Sequence, residues 1–364
     1  METHKASWRR RTVAAAAAAL LLVPMLGVMP AAATTGTWSL TQSTTLDADY
    51  TGNVVIKTDG VTLDCAGHTI HGPGAADMVA GVFIDGADGV TVTRCVITGF
   101  TAAAGDNGIF VRDSSAGTIS GNTATDNHGQ GIVLQRSDGA VVKGNTAIGN
   151  GANGIHTTDS DDVTVSGNTV TGNAEHGIHV LRAVGGNIIG NTSRSNASLG
   201  IAVTSSTRIL VKGNTATGNT HWAGIALGMG TTASTVVGNT ADRNDQGFEV
   251  TDSSGNTLTG NSATGNTHNG FVLANGARGN VLTKNTANKN HDGGFVLVGA
   301  TVNRLTRNTA NGNASHGFVA VEGASRNTFS QNSAHHNAAR DAVDDRSGKG
   351  DVWLRNSFGT TSGI

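Results

Sequence analysis

Two consecutive stretches, GIHTTDSDDVTVSGNTVTGNAEH (154–176) and GIHVLRAVGGNIIGNTSRSNASL (177–199), decide the fold. Each has 23 residues, opens on Gly-Ile-His, and places Asn at the same two offsets, Asn168 and Asn173 in the first, Asn191 and Asn196 in the second. Working outward, the opening Gly recurs at Gly108, Gly131, Gly154, Gly177, Gly200, Gly224, Gly247, Gly270, Gly294 and Gly317, with successive spacings of 23 or 24 residues. The first Asn column runs from Asn122 to Asn332 and the second from Asn127 to Asn337. Self-similarity of this period is the mark of a solenoid or a repeat array.

Inside each unit the apolar residues alternate with polar ones, as in Ile132 and Leu134, Ile178 and Val180, or Phe271 and Leu273. A local period of two means short strands. Helical repeats of similar length need apolar residues three and four apart and few glycines, and neither condition holds. Further apolar rows occur three residues before the first Asn (Val142, Val165, Ile188) and, mostly as Ala, two residues after it (Ala124, Ala147, Ala216). Residues that recur once per unit stack in columns about 4.8 Å apart, so the expected fold is all-β: a single-stranded right-handed parallel β-helix of about 12 coils of 23–24 residues. The Asn columns are expected to be structural, with side-chain amides bonded to the Asn above and below and a backbone suited to left-handed turns.

Three segments are expected. Residues 1–33 read as an export signal: Lys5 and Arg9 to Arg11 precede an apolar run from Val13 to Met29, with cleavage near Ala33. The run is Ala-rich and broken by Pro24, so secretion without stable membrane insertion is expected. Residues 34–350 form the β-helix, and 351–364 a closing strand and turn. The chain has 24 Lys and Arg against 26 Asp and Glu, which gives no global charge to attract nucleic acid or an anionic membrane. Cys65 and Cys95 are either a disulfide or two buried thiols. A monomer is expected.

The GIxV…VxGNTaxxN unit resembles the parallel β-helix repeat of pectate-lyase-like proteins and of the NosD-type group of exported β-helix proteins. That resemblance implies an acidic polysaccharide or cell-wall glycan as partner. It does not by itself select a reaction, because the fold carries lyases, hydrolases, epimerases, binding proteins and adhesins.

Filled interior columns leave only outward positions for chemistry. The second residue after the opening Gly points out, and that column contains His156 and His179 in adjacent coils, expected about 5 Å apart. Nearby outward positions supply Arg112, Arg136, Arg182 and Asp159, and the following turn adds His176. A uronate lyase or C5-epimerase has to neutralise the sugar carboxylate and remove the C5 proton. His156 or His179 suits the base, and the three arginines suit the carboxylate clamp. The same Asp and Arg alternation also describes a cross-strand charge ladder with no substrate. Two alternatives remain: a noncatalytic carbohydrate-binding or cell-surface solenoid, and a hydrolase using Asp159, Asp161 and Asp162. No cofactor is expected. The pattern of calcium-dependent pectate lyases is not recognisable, and Met78 and Met229 are the only thioethers after residue 33, too few to support copper transfer.

Overall fold

The computed structural model describes residues 36–74, 79–102 and 105–364. The expected signal segment 1–33 lies outside them. The described chain is all strand and turn, wound as a parallel β-solenoid in which each coil contributes one strand to each of three walls. In one coil these are Ile132–Gln135, Val141–Lys143 and Thr146–Ile148. The strands pair in parallel with the next coil, Ile132 opposite Ile155, Val142 opposite Val165 and Ala147 opposite Val170.

The second wall holds 14 strands, so the solenoid has about fourteen turns where the repeat pattern suggested about twelve. The difference arises where the repeat is loose. Gly36–Leu40 already pairs with Gly52–Ile56, and Val352–Leu354, Ser357–Phe358 and Thr361–Ser362 extend the second, third and first walls.

The core is a set of vertical columns. Ile109, Ile132, Ile155, Ile178, Ile201 and Ile225 occupy one, which continues as Phe248, Phe271, Phe295 and Phe318. Those four rings stack at centroid distances of 4.6, 4.7 and 4.8 Å and within 10° of parallel, because the strand spacing imposes its own repeat on the rings. The opening glycines are required by close approach. A Cβ on Gly131 would lie 2.6 Å from the carbonyl oxygen of Gly154 and 2.9 Å from both the Ala147 Cβ and the Asn150 Nδ2.

The Asn columns are buried and hydrogen-bonded as expected. Asn168 Nδ2 donates to Val142 O and to Asn191 Oδ1, both at 2.9 Å, and Asn168 Oδ1 accepts from the backbone N–H and side chain of Asn145. The left-handed turn is a correction: it falls on the residue before each Asn. Gly144, Gly167 and Gly190 have φ of 61°, 61° and 62°, whereas the Asn residues do not have positive φ. Asn is present because its amide turns inward and satisfies corner backbone groups that water cannot reach. A third, shorter ladder, Asn256, Asn280, Asn303 and Asn327, follows the same rule in the last coils.

Cys65 and Cys95 form a disulfide between the first coils, with Cα atoms 4.7 Å apart, which settles the alternative left open by spacing alone. No helix among the described residues is long and apolar enough to cross a membrane.

Candidate functional site

The first wall presents its second-residue column outward, and the register puts Phe110, Val133, His156, His179 and Ala202 in line. The His156 and His179 rings stand 4.8 Å apart, edge to face, matching the one-coil rise. His176, in the corner that leads into the next first-wall strand, packs its ring 4.9 Å from His179, also edge to face. Three imidazoles from two coils thus form one cluster.

The cluster is tied down by few hydrogen bonds. His179 Nε2 lies 2.8 Å from Thr204 Oγ1, and His176 Nδ1 accepts from the Leu199 N–H at 3.2 Å. His156 Nδ1 is buried without a hydrogen-bond partner. Burial dominates the electrostatics. It pushes His156 down to about 4, with repulsion from His176 and Arg182 adding to it, and His179 down to about 3, with His156, His176 and Arg182 contributing. Burial alone lowers His176. All three rings are therefore neutral near pH 7, each with one unprotonated nitrogen.

A groove of about 510 Å³ opens over His176 and His179 and is lined also by Arg182, Thr204, Trp222 and Met229, while His156 lies behind His179 and does not line it. Trp222 is 60% exposed and Met229 68%, the two most exposed large apolar side chains among the described residues. Trp222 sits in the corner column that holds Glu175 and Ser198 in the preceding coils, and its φ is 71°. Sequence reasoning missed Trp222, Met229 and the lining role of Thr204. The available signal was an indole in a corner otherwise built from small or polar residues.

The arginines divide. Arg182 lines the groove; its Nε and Nη2 donate to Asp159 at 2.6 and 2.8 Å, and Nη2 also reaches Thr158 Oγ1 at 3.0 Å. Among the described residues its Nη1 has no hydrogen-bond partner. Arg136 is paired in the same bidentate way with Asp113, and Arg112 bonds Asp85 and lies over the Phe83 ring. These two sit in coils before His156 and are not brought to the groove. The alternation of Asp and Arg is thus a charge ladder whose last cation borders the histidines. Asp159 is held below the usual carboxylate range, first by the Arg182 hydrogen bonds, and so stays ionised. Asp161 Oδ1 accepts from the Val184 N–H, a structural bond across the corner.

Comparison with known proteins bears on the fold. The family model described as "Right handed beta helix region" matches residues 31–194, and the one described as "Periplasmic copper-binding protein (NosD)" matches 159–233 and 181–360. Among solved structures, the periplasmic alginate epimerase AlgG superposes with a TM-score of 0.51 at 14% identity, covering 84% of this chain and 76% of that one. The Azotobacter vinelandii mannuronan C-5 epimerase AlgE4 A-module gives 0.51 at 16%, covering 90% and 91%. The catalytic unit of a GH87 alpha-1,3-glucanase from Streptomyces thermodiastaticus gives 0.52 at 15%, covering 90% and 62%. At these identities the likeness shows the fold alone. No curated protein matches by sequence.

The copper-binding description of the second family model finds no matching donor set here. Among the described residues no group of three or more His, Cys, Asp or Glu is arranged to hold a metal ion, and both cysteines are consumed by the disulfide.

Proposed function

We propose that this chain, which belongs to the right-handed β-helix repeat family and whose filled core leaves only outward positions for chemistry, is an exported protein that binds an acidic, uronate-containing polysaccharide in the groove beside Trp222. There a neutral imidazole takes the C5 proton of a bound uronate, and the electron pair is held on the carboxylate. That pair either forms the C4–C5 double bond as the C4–O bond breaks and the leaving oxygen takes a proton from water, as in a lyase, or takes a proton from water at the opposite face of C5, as in an epimerase. The observation that carries this reading is the convergence of neutral imidazoles, a guanidinium with a spare N–H edge and an exposed indole in one groove.

Each part has a physical task. The indole offers a flat apolar face to the C–H face of a pyranose ring. Arg182 Nη1 is available to the uronate carboxylate while Asp159 fixes the rest of the guanidinium. His179 faces the groove and is the base. In the tautomer whose Nε2 donates to Thr204 Oγ1, Nδ1 is unprotonated and free to take the proton. Its low basicity in the free protein rises when a uronate carboxylate binds alongside, since a nearby negative charge favours the imidazolium. His156 supports His179 from the coil below. Alginate and mannuronan epimerases among the structures of like fold are consistent with this substrate class, and the periplasmic label of AlgG with export.

The test is incubation of the purified protein with a panel of polyuronates and neutral glucans, following unsaturated-uronate absorbance for a lyase and solvent deuterium incorporation at C5 for an epimerase. The double substitution His156→Ala, His179→Ala is expected to abolish turnover with the solenoid intact. Unchanged turnover in that variant removes histidine as the base. One observation favours a second reading, a noncatalytic binder: the coils are minimal, and the groove has no long loops to exclude water. Retention of polyuronate without either product signal would establish it. The hydrolase reading has less support, since Asp159 is already paired and ionised.

A further inference from the structure

A second groove, of about 710 Å³, lies on the second wall in the last coils, far along the solenoid from the histidines. Its lining includes Arg304, Arg307, Arg355, Gln331 and the hydroxyls of Thr306 and Ser330. What sets it apart is that three arginines line one groove, where three features coincide.

The first is the absence of counter-charge. The arginines of the other corner are neutralised by Asp113 and Asp159, whereas none of Arg304, Arg307 and Arg355 forms an ion pair with a carboxylate among the described residues. Arg307 Nε donates to Gln331 Oε1 at 2.7 Å and Arg304 Nε to Thr306 Oγ1 at 3.3 Å, neutral partners that orient the guanidinium groups and leave their charge uncompensated.

The second is backbone strain. Arg307 and Arg355 occupy the corner column that precedes the first Asn ladder, where Gly121, Gly144, Gly167, Gly190, Gly213, Gly238 and Gly260 take the left-handed turn. From Lys284 onward the glycines give way to Lys284, Arg307, Gln331 and Arg355, at φ of 56°, 56°, 55° and 51°. A residue with a Cβ is disfavoured there relative to glycine, so long cationic side chains are placed against the local preference of the chain.

The third is periodicity. The cations recur at intervals of one or two coils, each coil adding a rise of about 4.8 Å, close to the length of one pyranose residue, and a row of hydroxyls (Thr283, Thr306, Ser330) runs parallel to them.

We propose that this groove is a docking site for the carboxylate or sulfate groups of an acidic polysaccharide lying along the solenoid axis, separate from the histidine groove. The inference shares with the preceding reading only the acidic class of the glycan. Single-stranded nucleic acid is disfavoured because no aromatic side chain lines the groove to stack a base, and a lipid surface because Leu354 is its only large apolar contribution.

The experiment measures retention of the full protein on sodium alginate, polygalacturonate, a neutral glucan, single-stranded DNA and anionic phospholipid vesicles across a salt series. The substitutions Arg304→Gln, Arg307→Gln and Arg355→Gln are made together, beside a charge-matched control at Arg194, Arg208 and Arg243 and a rescue in which the three groove arginines become Lys. The expected result is polyuronate binding weakened about tenfold or more with a shallower salt dependence in the Gln variant only, and largely restored in the Lys variant. Equal loss in the control, no loss in the Gln variant, or Arg-dependent binding confined to DNA or vesicles each overturns the proposal. A His179→Ala, Trp222→Ala variant separates the two sites. If it retains Arg-dependent binding but shows no change in turnover, the histidine reading fails while this one stands.

Discussion

Acidification from pH 7 to pH 5 should destabilise this protein by about 4 kcal/mol through two histidines. In an unfolded chain His156 and His179 titrate near 6.5, whereas in the folded protein burial pushes them down to about 4 and about 3. Between these values the unfolded state binds more protons than the folded one. Stability is therefore fully present above pH 6.5 and is lost as pH falls from there toward the folded values. At pH 5 each unfolded imidazole is almost fully protonated and each folded one almost fully neutral, which costs on the order of 2 kcal/mol per residue. The paired carboxylates do not interfere. Asp64, Asp113 and Asp159 are shifted downward by their arginines, so their contribution is lost only as pH falls below about 4. The assay is urea unfolding of the wild type and of a His156→Gln, His179→Gln variant at both pH values, with imidazole proton shifts titrated by NMR. The wild type should lose about 4 kcal/mol more than the variant across that interval. Parallel pH dependences, or imidazole resonances titrating near 6.5, would refute the account of a desolvated neutral cluster.

Thr157 points into the core column between Leu134 and Val180, and its hydroxyl is buried without a partner. Thr157→Val should therefore stabilise the fold by about 1 kcal/mol, read as a higher urea midpoint at unchanged slope. Asn168→Ala removes the acceptor for Asn145 and the donor to Val142 O, and is expected to cost several kcal/mol, at about 1–3 for each buried group left unpaired, with amide exchange accelerating first in the adjoining coils. Reduction of Cys65–Cys95 opens a cross-link spanning 30 residues, and loop-closure entropy puts the loss at about 3–4 kcal/mol, measured by thermal unfolding with and without reductant.

The two Gly-Ile-His units carried most of the fold in themselves. A 23-residue period with local alternation leaves a chain few options except strands stacked in register, because only stacking buries rows such as Ile132, Ile155 and Ile178. The same period fixed the approach of His156 to His179, since residues one coil apart are vertical neighbours. What the period did not contain is everything set by corners. Whether Cys65 meets Cys95, that the left-handed residue is the one before each Asn, that Arg136 spends its guanidinium on Asp113, and that Trp222 lines the same groove as His179 all depend on where non-repeating side chains point once coils are stacked. A repeat determines the positions of the residues that recur; the groove and the cationic face are built from those that do not, and only the wound chain brings them together.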